Sequence, residues 1–258
     1  MKLFNSKTIA IANQKGGVGK TTTAVNLAAY LSITETPILL IDMDPQANAT
    51  SGLGIEIDNK SKTIYDAIID NASVDKCIHK TNLKYLDIIP STYSLVGAEI
   101  ELVPQMKRED RLKNVINQLQ GKYKYIIIDS APSLGLLTLN VLSASNSVII
   151  PVQCEYYALE GLSQLLNTIR LVQKHLNKDL FIEGILITMY DNRLNLSKQV
   201  LQEVSEYFDD KVYKTLIKRN VRLGEAPSHG MPILLYDASS VGAQNYMELA
   251  SEILEKNE

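Results

Sequence analysis

Two lysines, Lys15 and Lys20, stand in the stretch "ANQKGGVGKTTTAVNLAAYL", which begins at Ala12. Gly16, Gly17, Val18 and Gly19 lie between them, and Thr21 and Thr22 follow. The glycines let the backbone curl so that successive N–H groups point at an anion. A helix starting there adds its partial positive charge. Lys20 can then reach the β- and γ-phosphates of a nucleotide, and the Thr21 hydroxyl can ligate Mg²⁺. One lysine suffices for that task, so Lys15 needs a separate role. Downstream, "LLIDMDPQANATSGLG" carries Asp42 and Asp44, and "YIIIDSAPS" carries Asp129. A carboxylate at a strand end either caps the next turn or serves a metal, and a phosphate loop in the same chain favours the metal. Mg²⁺ keeps several waters and takes few protein ligands. Thr21 is therefore the expected direct ligand, with Asp42 and Asp129 holding its waters.

These residues need a frame that brings distant segments together. "KTIAIAN" at Lys7 is a short apolar run, and "TTTAVNLAAYL" places Ala24, Leu27, Ala28 and Leu31 at helical spacing. Further strand-like runs are "PILLIDMD" from Pro37, "YLDIIP" from Tyr85, "YKYIIIDSAP" from Tyr123, "NSVIIPV" from Asn146, "LFIEGILIT" from Leu180 and "MPILLYD" from Met231. Several are apolar on both faces, as in a helix-covered parallel sheet. Helical patterns fall at 108–119, 134–144, 159–176, 196–208 and 242–255, with Asn195 as the N-cap of the fourth. The loosest segment is "GLGIEIDNKSKTIYDAI". Such alternation predicts an α/β fold: a mostly parallel twisted sheet with helices on both faces, as one domain over residues 1–258. Ligands then sit at the carboxyl ends of the strands.

Composition narrows the function classes. The 258 residues are 45% hydrophobic and 21% charged, ordinary for a globular chain. The sequence holds no run of eighteen apolar residues and no secretory leader, so a cytoplasmic location is expected. Cys77 and Cys154 belong to no C-x-x-C pair, and His79, His175 and His229 lack metal-ligand spacing. Net charge is −3. Any nucleic-acid contact must then come from a local basic patch on an acidic body.

"KGGVGKTT" resembles the deviant Walker A motif, K-G-G-x-G-K-[ST], of the ParA/MinD family of P-loop ATPases. The strict P-loop pattern fails only at Gln14, where a glycine belongs. The resemblance implies a P-loop NTPase-like fold with ATP and Mg²⁺ as cofactors, and the lack of an obvious arginine finger near these motifs predicts slow intrinsic hydrolysis. It also implies that Lys15 crosses an ATP-dependent homodimer interface to the partner's nucleotide while Lys20 serves its own. "IDMDPQANAT" is similar to the family's switch I, which makes Asp44 the residue that positions the attacking water. "IIIDSAPS" is similar to its Walker B and switch II segment. The implied catalytic residues are Lys15, Lys20 and Asp44. The ATP-binding set runs from Lys15 through Thr22, with Lys218 and Asn220 at the base.

"VQCEYYALEG", "TMYDNR" and "RNVRLGEAPSHGMPILLYD" resemble segments of the Soj/ParA partition proteins. The short type is implied, without a helix-turn-helix domain ahead of Thr8. One departure is "IKRN", Ile217–Asn220, where the family reads I-P-R-N: Lys218 replaces a proline beside the adenine, leaving its backbone and Asn220 to make contacts. Arg193 and Arg222 fall where Soj-like proteins carry DNA-binding arginines. Lys198, Lys211, Lys214, Lys218 and Arg219 add charge nearby in sequence. The implied partners are non-specific double-stranded DNA and a ParB-type centromere-binding protein, with nucleoid association and no membrane. A MinD-type membrane-cycling ATPase is the alternative, and it needs a basic amphipathic last helix. An iron–sulfur reductase would need paired cysteines at an interface, and a non-catalytic nucleotide-binding module would not need Lys15, Lys20 and Asp44 together.

Overall fold

The computed structural model describes residues 3–155 and 158–257. Among these residues seven strands form: β1 (Lys7–Ile11), β2 (Ile38–Met43), β3 (His79–Lys80), β4 (Leu86–Ile89), β5 (Tyr125–Ser130), β6 (Ser147–Gln153) and β7 (Phe181–Thr188). They make one sheet in the order β3-β4-β2-β5-β1-β6-β7. All pairs are parallel except the short antiparallel edge β3–β4.

Strand side chains alternate between faces, and here both faces are apolar. Ile9, Ile11, Ile38 and Leu40 join one core, in which the helices Lys20–Ser32 and Val241–Lys256 bury Leu27, Leu31, Tyr246 and Leu249. Ala10, Ala12, Leu39 and Ile41 join the other, with Leu112, Val141, Leu165 and Val200 from the helices Arg111–Asn117, Leu136–Ala144, Ala158–His175 and Asn195–Phe208. The expected mostly parallel sheet with helices on both faces is the observed one. The chain leaves β1 for β2 on one side and leaves β6 for β7 on the other, although β1 and β6 are neighbours. The strand ends around β1 therefore form the crevice where α/β sheets hold ligands.

Three local expectations differ. "MPILLYD" is not a strand: Ile233–Tyr236 forms one helical turn. Its backbone is taken by local bonds, and the Ile233 N–H donates to Asn26 Oδ1 at 2.7 Å. Asn195 is the first residue of its helix rather than the cap; Leu194 holds that position without a side-chain cap. The loose segment after Gly52 contains the helix Ile64–Ile68, nucleated by a capping box between Thr63 and Asp66. Tyr156 and Tyr157 of "VQCEYYALEG" lie outside the described residues.

The "EAPSHG" segment docks by backbone onto the loop after β2. Gly230 has φ +61°, and a Cβ there would lie 2.7 Å from Gly54 Cα. Gly54 is itself left-handed, at φ +68°. Gly230→Ala adds left-handed strain to a backbone clash and is expected to destabilise the protein by about 2–4 kcal/mol. Urea denaturation of the variant against wild type measures this.

Candidate nucleotide site

The loop Asn13–Gly19 joins β1 to the helix Lys20–Ser32. Gly17 and Gly19 take left-handed φ values of +75° and +87°, which turn the backbone into the helix start. Two side chains hold the loop in place. Asn13 Nδ2 donates to the Pro151 carbonyl at 2.7 Å, and its Oδ1 accepts from the Lys15 N–H at 3.0 Å. Thr188, at the end of β7, donates its hydroxyl to the Val18 carbonyl at 2.8 Å. The loop is thus braced from β6 and β7, which the sequence motif alone does not reveal.

The two lysines part company. Lys20 is buried, and its Nζ donates to the Lys15 carbonyl oxygen at 2.9 Å inside the loop. Burial pushes its pKa down, opposed by the charges of Asp129 and Asp44. Lys15 instead forms an ion pair with Glu155, just beyond β6. Both partners are partly exposed, so Lys15 faces outward from its own loop. Glu155 carries no motif signal of its own, although it lies in the "VQCEYYALEG" segment.

The acidic residues converge because β2 and β5 are adjacent and parallel, with Asp42 directly opposite Asp129. Asp129 in turn pairs with Ile11, the last residue of β1. Asp42 is fully buried. Its Oδ2 accepts from the Thr50 N–H at 2.8 Å and the Thr50 hydroxyl at 2.7 Å, and its Oδ1 accepts from the Asp44 N–H at 3.1 Å. Burial raises its pKa to about 6, against the pull of the Thr50 hydrogen bonds. Asp44 is nearly buried, and its Oδ1 accepts from the Gln46 N–H at 2.9 Å. Both oxygens of Asp129 are buried without a hydrogen-bond partner. Its pKa is driven well up, first by burial and then by the Asp42 charge; the nearby Thr21 hydroxyl favours the ionised form but does not reach hydrogen-bond geometry.

A buried carboxylate with two orphaned oxygens, beside a second carboxylate and the Thr21 hydroxyl, fits a hard divalent cation with its waters. Among the described residues no three His, Cys, Asp or Glu side chains form a ready-made metal cage.

A cavity of about 320 Å³ opens beside the loop, lined by Gly19, Thr22, Thr188, Ile217, Leu223 and Tyr246, with Lys218 and Asn220 at its edge. It has the place and mostly apolar character expected of a base pocket. The Lys218 N–H donates to Asn245 Oδ1 at 3.1 Å. Asn220 Oδ1 accepts from the Arg222 N–H at 2.8 Å and caps the helix Val221–Glu225. Asn220 thus lines the cavity with its carbonyl oxygen already engaged.

The basic residues are only partly gathered. Arg193, Lys218 and Arg219 line one cleft of about 230 Å³ with Tyr190, Asp191 and Asn192. Hydrogen bonds from the Tyr190 N–H to the Ile217 carbonyl and from the Arg219 N–H to the Tyr190 carbonyl zip its two walls together. Asp191 grips Arg193 through two nitrogens, at 3.0 and 2.7 Å, and this holds the carboxyl down at about 2. Arg222 lies outside the cleft and pairs with Glu225 at 2.8 Å and Asp237 at 3.4 Å. Lys198, Lys211 and Lys214 are exposed but do not line the cleft.

A family model described as an AAA domain matches residues 6–182. The chain is 63% identical to the sporulation initiation inhibitor protein Soj of Bacillus subtilis, covering 96% of this chain and 98% of that protein. It is 49% identical to the chromosome-partitioning ATPase Soj of Treponema pallidum, over 97% and 98% of the two chains. This chain belongs to the Soj/ParA family. Its fold also matches a structure of cobyrinic acid a,c-diamide synthase from Mycobacterium smegmatis with bound ADP and magnesium, at TM-score 0.85 and 35% identity, covering 97% of this chain and 94% of that one.

Two observations bear on the membrane-cycling and iron–sulfur readings. The last helix of this Soj/ParA chain turns Ala243, Tyr246, Leu249 and Ile253 into the core, and Tyr246 bonds Thr23 at 3.1 Å. Its apolar face is thus not available to lie on lipid. Among the described residues, no helix is long and apolar enough to cross a membrane. Cys77 and Cys154 are both buried, and burial raises each thiol to about 11. A cluster-ligating cysteine needs the opposite, an accessible thiolate.

The carboxylates make stability depend on pH in a definite direction. A carboxyl with a raised folded-state pKa binds its proton more tightly when folded. For Asp42 that contribution is full below about pH 4 and is lost as pH rises through about 6. Asp129 works in the same direction. Without nucleotide and magnesium, Asp129→Asn is expected to melt about 2–4 °C above wild type at pH 7, the effect of about 1 kcal/mol. The gain should vanish at pH 4. Melting curves over a pH series check both points.

Proposed function

We propose that this chain hydrolyses ATP with magnesium to drive the segregation of DNA, cycling between a monomer and an ATP-bound sandwich dimer, and that it works as a single ATPase domain. The observation that carries this reading is the meeting, at three parallel strand ends, of Lys20 in its loop with Asp42, Asp44 and the orphaned Asp129. Thr21 supplies a direct ligand to the magnesium ion, and Asp42 and Asp129 hold its waters. Magnesium neutralises charge on the β- and γ-phosphates. Lys20 binds the same phosphates. Asp44, anchored by the Gln46 N–H, keeps its other oxygen for orienting the attacking water. The base lies in the 320 Å³ cavity, against Ile217 and Leu223.

Lys15 acts in trans. Its pairing with Glu155 supports this, because the side chain reaches out of its own loop and stays partly exposed. In the dimer Lys15 exchanges Glu155 for phosphate oxygens of the partner's nucleotide, where charge grows during hydrolysis. The phosphate loop and the segments "ILLIDMDPQ" and "YIIIDSAPS" contain no arginine to supply the large acceleration of an arginine finger. Intrinsic turnover is therefore slow, and a ParB-type partner stimulates it. Double-stranded DNA is held without sequence preference, through phosphates, by Arg193, Lys218 and Arg219 in their cleft and by Arg222 and Lys198 beyond it. Pairing two copies doubles the charge presented. The working protein is then cytoplasmic, on the nucleoid.

Two sets of variants test this. Lys20→Ala should lose about 10- to 100-fold in ATP affinity, the value of one charge-assisted hydrogen bond. Lys15→Ala should bind ATP as a monomer but fail to dimerise, and Asp44→Ala should dimerise with ATP and not turn over. Titration calorimetry and light scattering with ATP separate these outcomes. A Lys15→Ala protein that dimerises and hydrolyses normally removes the trans role.

The DNA reading is tested separately, in the Asp44→Ala background. Arg193→Ala and Arg222→Ala should weaken binding to unrelated duplexes alike and reduce the log–log salt slope by about 0.9 for each phosphate no longer neutralised. Asp191→Asn should bind several-fold tighter, since a phosphate need no longer compete with the Asp191 carboxylate for Arg193. Fluorescence polarisation over a salt series measures all three, and unchanged affinity in the double arginine variant would place the DNA surface elsewhere.

A further inference from the structure

Thr50 closes the "IDMDPQANAT" segment, and the roles given above leave it without a task. It sits in the short helix Asn48–Gly52 and is almost fully buried. Its hydroxyl makes two hydrogen bonds. The Thr50 Oγ1–H donates to Asp42 Oδ2 at 2.7 Å, and Oγ1 accepts from the Ser91 N–H at 3.0 Å. The polarity of this chain is fixed. A backbone N–H can only donate, so the Ser91 N–H occupies a lone pair of Thr50, and the hydroxyl proton must go to the carboxylate. The Thr50 N–H adds a second donor to the same oxygen at 2.8 Å.

Two donors on Oδ2 fix the plane of the Asp42 carboxyl group. Oδ1 then carries one donor, the Asp44 N–H, and retains a free lone pair. Asp42 thus joins two functions through a single oxygen. Oδ1 is the atom left to accept from a water on magnesium, and it also anchors the backbone of the residue that orients the attacking water. Ser91 follows β4, so the orientation of Asp42 is set jointly by the ends of β2 and β4 and by the helix between them.

We propose that Thr50 is a positioning residue for the magnesium site: its hydroxyl, polarised by the Ser91 N–H, turns Asp42 so that Oδ1 faces the cation's water. This rests on the magnesium-nucleotide reading above. Groups that orient metal-binding carboxylates typically contribute about 10- to 100-fold in metal affinity. Thr50→Val keeps the shape and removes the hydroxyl. Thr50→Ser keeps the hydroxyl and removes the methyl.

The experiment measures fluorescent ADP binding by wild type and both variants at rising magnesium concentration, with melting curves of the nucleotide-free proteins alongside. Wild type should bind ADP more tightly as magnesium is added. In Thr50→Val the magnesium concentration for half of that gain should rise about tenfold or more, while magnesium-free ADP affinity stays within about twofold. Thr50→Ser should stay close to wild type. An unshifted magnesium midpoint in Thr50→Val overturns the proposal. So does a shift of about tenfold or more in Thr50→Ser, which keeps the hydroxyl and would assign the effect to packing; this arm can overturn the proposal even if Thr50→Val fails to fold. A wild-type protein whose ADP affinity ignores magnesium overturns the underlying reading instead, so the two failures are distinguishable.

Discussion

Asp42 and Asp129 face each other across paired strands, shielded from water, with Asp44 close behind. Like charges so placed repel, and burial penalises each of them further. Lys20 is the buried cation that opposes them, and burial weakens it as well. This excess of negative charge is the constraint on which the site depends. It stores a cost in the protein alone that a divalent cation and its nucleotide relieve. Stability given up at the strand ends becomes affinity for the ligand.

Other parts of the molecule support that arrangement. A parallel sheet places the carboxyl ends of β1, β2 and β5 on one edge, and only a sheet covered on both faces can keep that edge's interior dry. Asn13 and Thr188 brace the phosphate loop from β6 and β7. Thr50 braces Asp42 from the far side. The close approach of Gly54 and Gly230 ties the loop after Asp44 to the segment that follows Arg222. Lys218 and Arg219 line both the 320 Å³ cavity and the Arg193 cleft, so the two share a wall.

The basic surface follows a different logic. Arg193 and Arg222 are each paired to carboxylates of their own neighbourhood, Asp191, Glu225 and Asp237. Exposed pairs of this kind are weak. Lys15 and Glu155 follow the same pattern. In both places a surface cation is held by a carboxylate of its own neighbourhood.

The phosphate loop is legible in the bare sequence because its chemistry is local: glycines, a lysine and a threonine act within one turn of backbone. The sheet is legible too, since runs such as "YIIIDS" and "SVIIPV" are apolar on both faces and fit a covered parallel strand. Asp42, Asp44 and Asp129 can be read as strand-end carboxylates. That Asp42 faces Asp129 emerges only in the fold, because strand order is set by packing among distant segments. Thr188, Glu155 and Asn245 are silent in sequence for the same reason: their partners Val18, Lys15 and Lys218 lie far along the chain, and a lone hydroxyl, carboxylate or amide carries no pattern. "MPILLYD" misleads because a short apolar run suits a strand or a helical turn equally, and the choice falls to Asn26, which captures the Ile233 N–H. Local chemistry is written in neighbouring residues, whereas the direction in which a side chain is held depends on groups that only folding brings near.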